Sequence, residues 1–230
     1  FLSGDLMQQR EVNRLAAELG ALLDQRCDGR LDVLINNAGC VRSWYATTEE
    51  GYEQQFALNH LAGFLLSIRL MPWLTRAGGR ILFTGSNSHK GPDVHWRDIM
   101  FKQHYRPLRA YKQSKLCNLL TAFEFNRRYA GQGVHAFGID PGLVKTEIGH
   151  KQTGRLVSLV WALRKRSGQP PEMSARTYVW LSEHEPAPAG LYYFNCRERP
   201  YSRHVTDAGA SRLFTLSTKL CGLSVSDSRS

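Results

Sequence analysis

Leu31-Asp32-Val33-Leu34-Ile35-Asn36-Asn37-Ala38-Gly39 is the stretch on which the fold turns. Leu31 to Ile35 is a short, nearly continuous apolar run, as expected of a strand covered on both faces. Polar and small residues follow it at once, so Asn36 to Gly39 should form a loop at the strand's carboxyl end. Arg80-Ile81-Leu82-Phe83-Thr84 and Val134-His135-Ala136-Phe137-Gly138-Ile139 read the same way, and Leu191-Tyr192-Tyr193-Phe194 reads as a last strand. Helical spacing fills the intervals. Val12, Leu15, Ala16, Leu19, Leu22 and Leu23 form one apolar stripe, and Phe56, Leu58, Leu61, Leu65, Ile68 and Leu70 form another that Pro72 should break. Further helices are predicted over 109–129, ending at Gly131-Gln132-Gly133, from Pro171-Glu172 onward, and over 208–220. Strands alternating with helices predict an α/β fold, a parallel sheet with helices on both faces.

The chain has 230 residues with 42% hydrophobic and 22% charged, which suits a single domain with a real core. We expect one domain over 1–222 and a polar, disordered tail over 223–230. Thirty Lys and Arg against twenty Asp and Glu give a net charge of +10. A basic balance serves a solvated surface, a phosphate-bearing cofactor or an anionic membrane. Basic residues are not interleaved with aromatics in the manner that stacks bases, so no nucleic-acid partner is expected. The stretch 151–169 mixes Leu156, Val157, Leu159, Val160, Trp161 and Leu163 with the basic run Arg164-Lys165-Arg166. It reads as an amphipathic helix, packed on the core, over a substrate pocket or against a membrane surface.

Five cysteines at wide spacing, with no CxxC and no Cys/His set at metal-ligand spacing, point to free thiols in a reducing compartment and to no metal site. No apolar run reaches membrane-spanning length. The start, Phe1-Leu2-Ser3-Gly4-Asp5, lacks both an initiator Met and the pattern of a signal peptide. The expected location is the cytoplasm or the cytoplasmic face of a membrane.

Tyr111-Lys112-Gln113-Ser114-Lys115 carries the strongest chemical signal. Positions i and i+4 share one helical face. An ammonium beside a phenol favours the phenolate, and a Tyr so tuned can exchange a proton with a substrate oxygen near neutral pH. By itself a Tyr-x-x-x-Lys pair is weak. Its context strengthens it: three successive strand ends carry small or hydroxyl residues, at Asn36 to Gly39, at Gly85-Ser86 and at Asp140-Pro141-Gly142 followed by Thr146. Ligands of open parallel sheets bind beyond the carboxyl ends of strands.

Asn36-Asn37-Ala38-Gly39, Asn59, Ser86, Tyr111 with Lys115, Pro141-Gly142 and Thr146, in that order, resemble the short-chain dehydrogenase/reductase family, a Rossmann-like fold. The likeness covers nearly the whole chain. Asn59-His60-Leu61, Phe64-Leu65-Leu66, Ser114-Lys115-Leu116, Asn118 and Tyr193-Phe194 look like its retinol-dehydrogenase-like members. The resemblance implies an NAD(P)-dependent oxidoreductase interconverting an alcohol and an aldehyde or ketone, with a lipophilic small-molecule substrate. It implies Tyr111 as general acid/base, Lys115 on the phenol and the nicotinamide ribose, Ser86 on the substrate oxygen, and Asn59 anchoring a relay water. Asn36, Asn37, Ala38 and Gly39 would line the adenosine and ribose side. Asp5 and Leu6 would touch adenine, and Pro141, Gly142 and Thr146 would hold the nicotinamide end. NADP is favoured over NAD by the subgroup alone. Homo-oligomers and membrane-surface association are also compatible.

The residues admit plainer roles too. Asn59 suits a helix kink, Ser86 a strand cap, and Asp5 a helix N-cap. Trp96, Tyr105, Leu143, Val144, Leu156 and Trp161 suit either an apolar pocket or the core. The chain also departs from the family, because no glycine-rich turn opens a first strand–helix unit. If Phe1-Leu2-Ser3 is the family's third strand, the first two strand–helix units are lacking, and Leu31 to Ile35 becomes an exposed sheet edge. Two other readings follow: an inactive truncated scaffold or binding protein, and a protochlorophyllide-reductase-like enzyme. The second of these families has Cys after Pro-Gly where this chain has Leu143.

Overall fold

The computed structural model of the chain describes residues 1–91, 93–143 and 170–224. Thr146, Val144, the stretch 151–169 with Leu156, Trp161 and the basic run, and positions 225–230 of the expected tail lie outside the described residues.

Five strands form one sheet in the order β1 (Val33–Asn36), β2 (Arg80–Thr84), β3 (His135–Ile139), β4 (Tyr192–Phe194) and β5 (Arg197–Glu198). The first four run parallel, in the register Val33 to Arg80 and Arg80 to His135. The fold is therefore the expected Rossmann-like α/β sheet, and β1 does stand at its edge, with Ile35 45% exposed. The antiparallel β5 was not foreseen. It returns from β4 through Asn195 and Cys196, both at positive φ (52° and 58°), as a two-residue hairpin requires. A strand this short carries too little apolar pattern to be read from sequence.

Seven α-helices are described: α1 (Gln9–Arg26), α2 (Gln54–Phe56), α3 (Ala62–Arg69), α4 (Met71–Ala77), α5 (Pro107–Tyr129), α6 (Pro171–Glu183) and α7 (Asp207–Leu220). The strand pleat sorts the two faces. Ile81, Phe83 and Ala136 join the larger core under α1, α3, α5 and α7, whereas Leu82, Phe137, Ile139 and Tyr193 pack with Leu181 of α6 on the other face. Gly138 faces α5, where an added Cβ would lie 2.5 Å from Leu119 Cδ1. The glycine thus lets α5 sit close against the sheet.

Two expectations need correction. Phe1-Leu2-Ser3 forms no strand, and Phe1 is fully exposed. The break expected at Pro72 is present: α3 ends at Arg69, Leu70 leaves helical geometry, and Pro72 sits in the first turn of α4, where a missing N–H costs nothing. Leu223 is not part of a tail but is buried in the larger core.

At the centre of that core lies Phe125, fully buried and ringed by Phe64, Phe83, Tyr129 and Phe214 with centroids 5.8–6.3 Å away. Phe125→Ala is expected to lower unfolding free energy by about 3–5 kcal/mol. A urea titration reads this as a fall in midpoint at constant slope.

Candidate active site

The carboxyl ends of β1, β2 and β3 open into a cavity of about 700 Å³. Asn37, Gly39, Tyr111, Lys115, Pro141 and Gly142 line it, together with Thr84, Gly85 and one face of α6 from Ser174 to Glu183. Six of the sequence-predicted site residues thus converge, although they are drawn from separate loops and a helix.

Tyr111 and Lys115 occupy one face of α5, with Nζ 5.6 Å from the centroid of the phenol ring. Lys115 is buried, and its Nζ donates to the Thr84 carbonyl at 2.9 Å. Burial penalises the ammonium and pulls its pKa down to about 8, against the opposing pull of Cys40. Gly39 keeps room beside this group, since a Cβ there would come within 3.2 Å of Asn59 Oδ1 and 3.7 Å of Lys115 Nζ.

Asn59 sits in a π-helical turn, Ala57–Leu61, between α2 and α3. Such turns are frequent at functional sites. Its Oδ1 accepts from the Cys40 amide at 2.7 Å, and its Nδ2 donates to the Cys40 carbonyl and to Ser114 Oγ, both at 3.0 Å. Ser114 in turn donates to the Tyr111 carbonyl at 2.8 Å. Asn59 therefore does not line the cavity. It ties the Asn36–Gly39 loop to the helix that bears Tyr111.

The other expected residues lie as follows. Ser86 caps the 3-10 turn Asn87–Lys90, its Oγ accepting from the Ser88 amide and hydroxyl, and it is absent from the cavity wall. Asn36 turns the other way and donates to Ser67 Oγ at 3.0 Å, and Ala38 is exposed without lining the cavity. Asp5 accepts from the Met7 amide at 3.0 Å in the turn before α1, and Leu6 packs against the larger core. Neither reaches the cavity. Trp96 packs against the core, Tyr105 bonds Glu53 and Gln55, and Leu143 is exposed, so none of the three forms its wall.

Several residues escaped the sequence reading. Thr84 uses both halves of its structure. Its carbonyl receives Lys115 and Asn118, the latter at 3.3 Å, and its hydroxyl bonds Asn37 Oδ1 at 2.9 Å and Tyr178 at 2.8 Å. Ser174 on α6 donates to the Pro141 carbonyl at 2.6 Å. Asn118, one helical turn beyond Lys115, was legible from spacing. Tyr178 and Ser174 were not, because they lie far along the chain in an ordinary amphipathic helix.

Comparison with known proteins shows the family. The model of the short chain dehydrogenase family matches residues 1–155, and the chain belongs to that family. Its relatives are of the retinol-dehydrogenase type: human retinol dehydrogenase 14 is 35% identical over 231 residues, covering 95% of this chain and 66% of the relative. The chain thus spans just under two thirds of that relative's length. An uncharacterized protein from Mycobacterium Paratuberculosis superimposes with TM-score 0.69 and 28% identity over 95% of this chain and 74% of its own. NADPH-bound carbonyl reductase from chicken fatty liver shares the fold, with TM-score 0.60 and 20% identity over 86% of this chain and 75% of its own.

The buried ammonium generates a prediction about stability. The folded pKa of about 8 lies below the ordinary 10.5, so between those values the folded chain holds fewer protons than the unfolded one and stability rises with pH. Lys115→Met removes that cost. It is expected to be more stable than the parent below pH 8, by up to about 3 kcal/mol, with the gap closing by pH 10.5. Thermal melts across that range check the sign.

Proposed function

We propose that the chain is the catalytic part of an NAD(P)-dependent oxidoreductase that interconverts a lipophilic alcohol and its aldehyde or ketone. The observation that carries this reading is the Tyr111–Lys115 face of α5 meeting Asn37, Gly39, Pro141 and Gly142 around one cavity at the strand ends. Family membership, and relatives that act on retinol, support it.

The residues fit a nicotinamide nucleotide. Lys115 is a buried donor at the cavity wall, Gly39 leaves open the space beside it, and Gly142 turns at φ 70°, a left-handed geometry that suits a glycine loop near a ligand. A volume near 700 Å³ suits a cofactor-sized ligand. When bound, the nicotinamide supplies or accepts the hydride. Tyr111 gives a proton to the carbonyl oxygen in reduction, or takes one from the alcohol in oxidation. Lys115 sets its ammonium 5.6 Å from the centroid of the phenol ring and offers it to ribose hydroxyls. Asn59, through Cys40 and Ser114, keeps the loop and the helix in register. Ser86 would bond the substrate oxygen after a turn of its hydroxyl away from Ser88. Ile35, Val41, Ala175 and Val179 make much of the wall apolar, which suits a lipophilic substrate.

A second reading, an inactive scaffold, draws on Ser86, whose hydroxyl is held by Ser88 and does not line the cavity. Turnover of retinol with NADP, compared between the parent chain and Tyr111→Phe, separates the two. The enzyme reading expects measurable turnover that falls about 10²- to 10⁴-fold in the variant, with nucleotide affinity kept. Nucleotide binding without turnover in either protein would support the scaffold instead.

A further inference from the structure

A second cavity, of about 390 Å³, opens in the loop between β2 and α5 and shares no residue with the first. Arg97, Arg106 and Arg109 line it with His95, Asp98 and Phe101. Among the described residues none of the three guanidiniums has a carboxylate or carbonyl partner. Arg109 Nε is buried with no acceptor at all, which is costly for a charged donor. The guanidinium lies 5.9 Å from the centroid of the Phe101 ring, so its direction is set without its hydrogen bonds being met.

Strong local contacts hold the walls. Asp98 accepts from the amides of Lys102 and Gln103 at 3.0 and 2.9 Å. His95 stacks on Phe101 at 5.4 Å between centroids, and its amide donates to Gln113 Oε1 of α5 at 2.7 Å. Gln113 also donates to the Ile99 carbonyl at 2.8 Å. Phe101 takes φ 49°, a left-handed value that a bulky residue adopts only under firm constraint. Three guanidiniums against one carboxylate leave two positive charges in a preformed hollow, and the amino end of the 23-residue helix α5 adds its dipole at the same mouth.

We propose that this hollow binds a phosphate monoester group. A dianion matches the charge, and planar guanidiniums match its oxygens in geometry, with the unmet Nε of Arg109 as one donor. The phosphate belongs either to a soluble molecule or to a lipid headgroup. Arg109 precedes Tyr111 by two residues on α5, so an occupant here would sit on the helix that carries the proposed acid/base.

Calorimetric titration with inorganic phosphate, and cosedimentation with phosphatidylcholine vesicles with and without phosphatidic acid, test this on the full 230-residue chain. Saturable binding of free phosphate, weakened about tenfold or more in Arg97→Gln combined with Arg109→Gln, assigns a soluble ligand. Vesicle binding that needs phosphatidic acid and is lost in the same variant assigns a headgroup. Arg106→Gln, exposed at the start of α5, weakens binding in the same direction and guards against misfolding of the double variant. Arg203→Gln, at another exposed position, leaves it unchanged. Absence of binding in both arms overturns the proposal, as does binding indifferent to the three cavity arginines. Neither result bears on hydride transfer, which depends on a different cavity.

Discussion

Lys115 Nζ rests 2.9 Å from the Thr84 carbonyl, inside the protein, and the site is arranged around the cost of keeping it there. A buried ammonium needs acceptors, and this one takes the last carbonyl of β2. That bond fixes α5 at the carboxyl end of the sheet, where Asn118 reinforces it from the next turn. Because the strand pleat turns the Thr84 side chain toward α6, its hydroxyl reaches Asn37 and Tyr178. A single residue therefore joins the helix bearing Tyr111, the loop after β1 and the helix that walls the cavity. The depressed pKa of the ammonium is the energetic trace of the same arrangement: its burial gives up stability at the wall of the proposed active site.

The two faces of the sheet support this site unequally. Under α5 lies a deep aromatic core of Phe64, Phe83, Phe125 and Phe214, which holds the helix rigidly in place. The opposite face has a smaller cluster around Leu82, Phe137, Ile139 and Leu181, and the cavity lies beside it. Rigidity on one side and open volume on the other suit the ligand-facing role proposed for Tyr111 on this helix. The basic balance of the chain also has a local expression, for Arg97, Arg106 and Arg109 gather around one hollow beside Phe101.

Most elements were legible because their cause is local. Arg80 to Thr84 coincides with β2, the Val12-to-Leu23 stripe lies within α1, and Gly131 to Gly133 follows the end of α5, where Gly133 takes φ 83°. Apolar period, turn residues and helix stops act over a few positions, so sequence carries them directly. Tyr111 and Lys115 were legible for the same reason, since helical geometry alone sets them on one face. Pro72 was legible too, because proline suits only the first turn of a helix and so marks the break between α3 and α4.

Residue order alone therefore determined the alternation of strands and helices, the phenol–ammonium pair and the family resemblance. Tertiary structure decided where each polar atom finds its partner. It turned Asn36 to Ser67, Asn37 to Thr84 and Asn59 to Cys40, three different fates for the same side chain. It also brought Tyr178 and Ser174 of α6 to a site assembled mostly from residues 37–142. The physical reason is distance along the chain. A hydrogen bond between residues 94 positions apart, as between Thr84 and Tyr178, leaves no periodic mark in sequence and exists only once the sheet has brought its strand ends together.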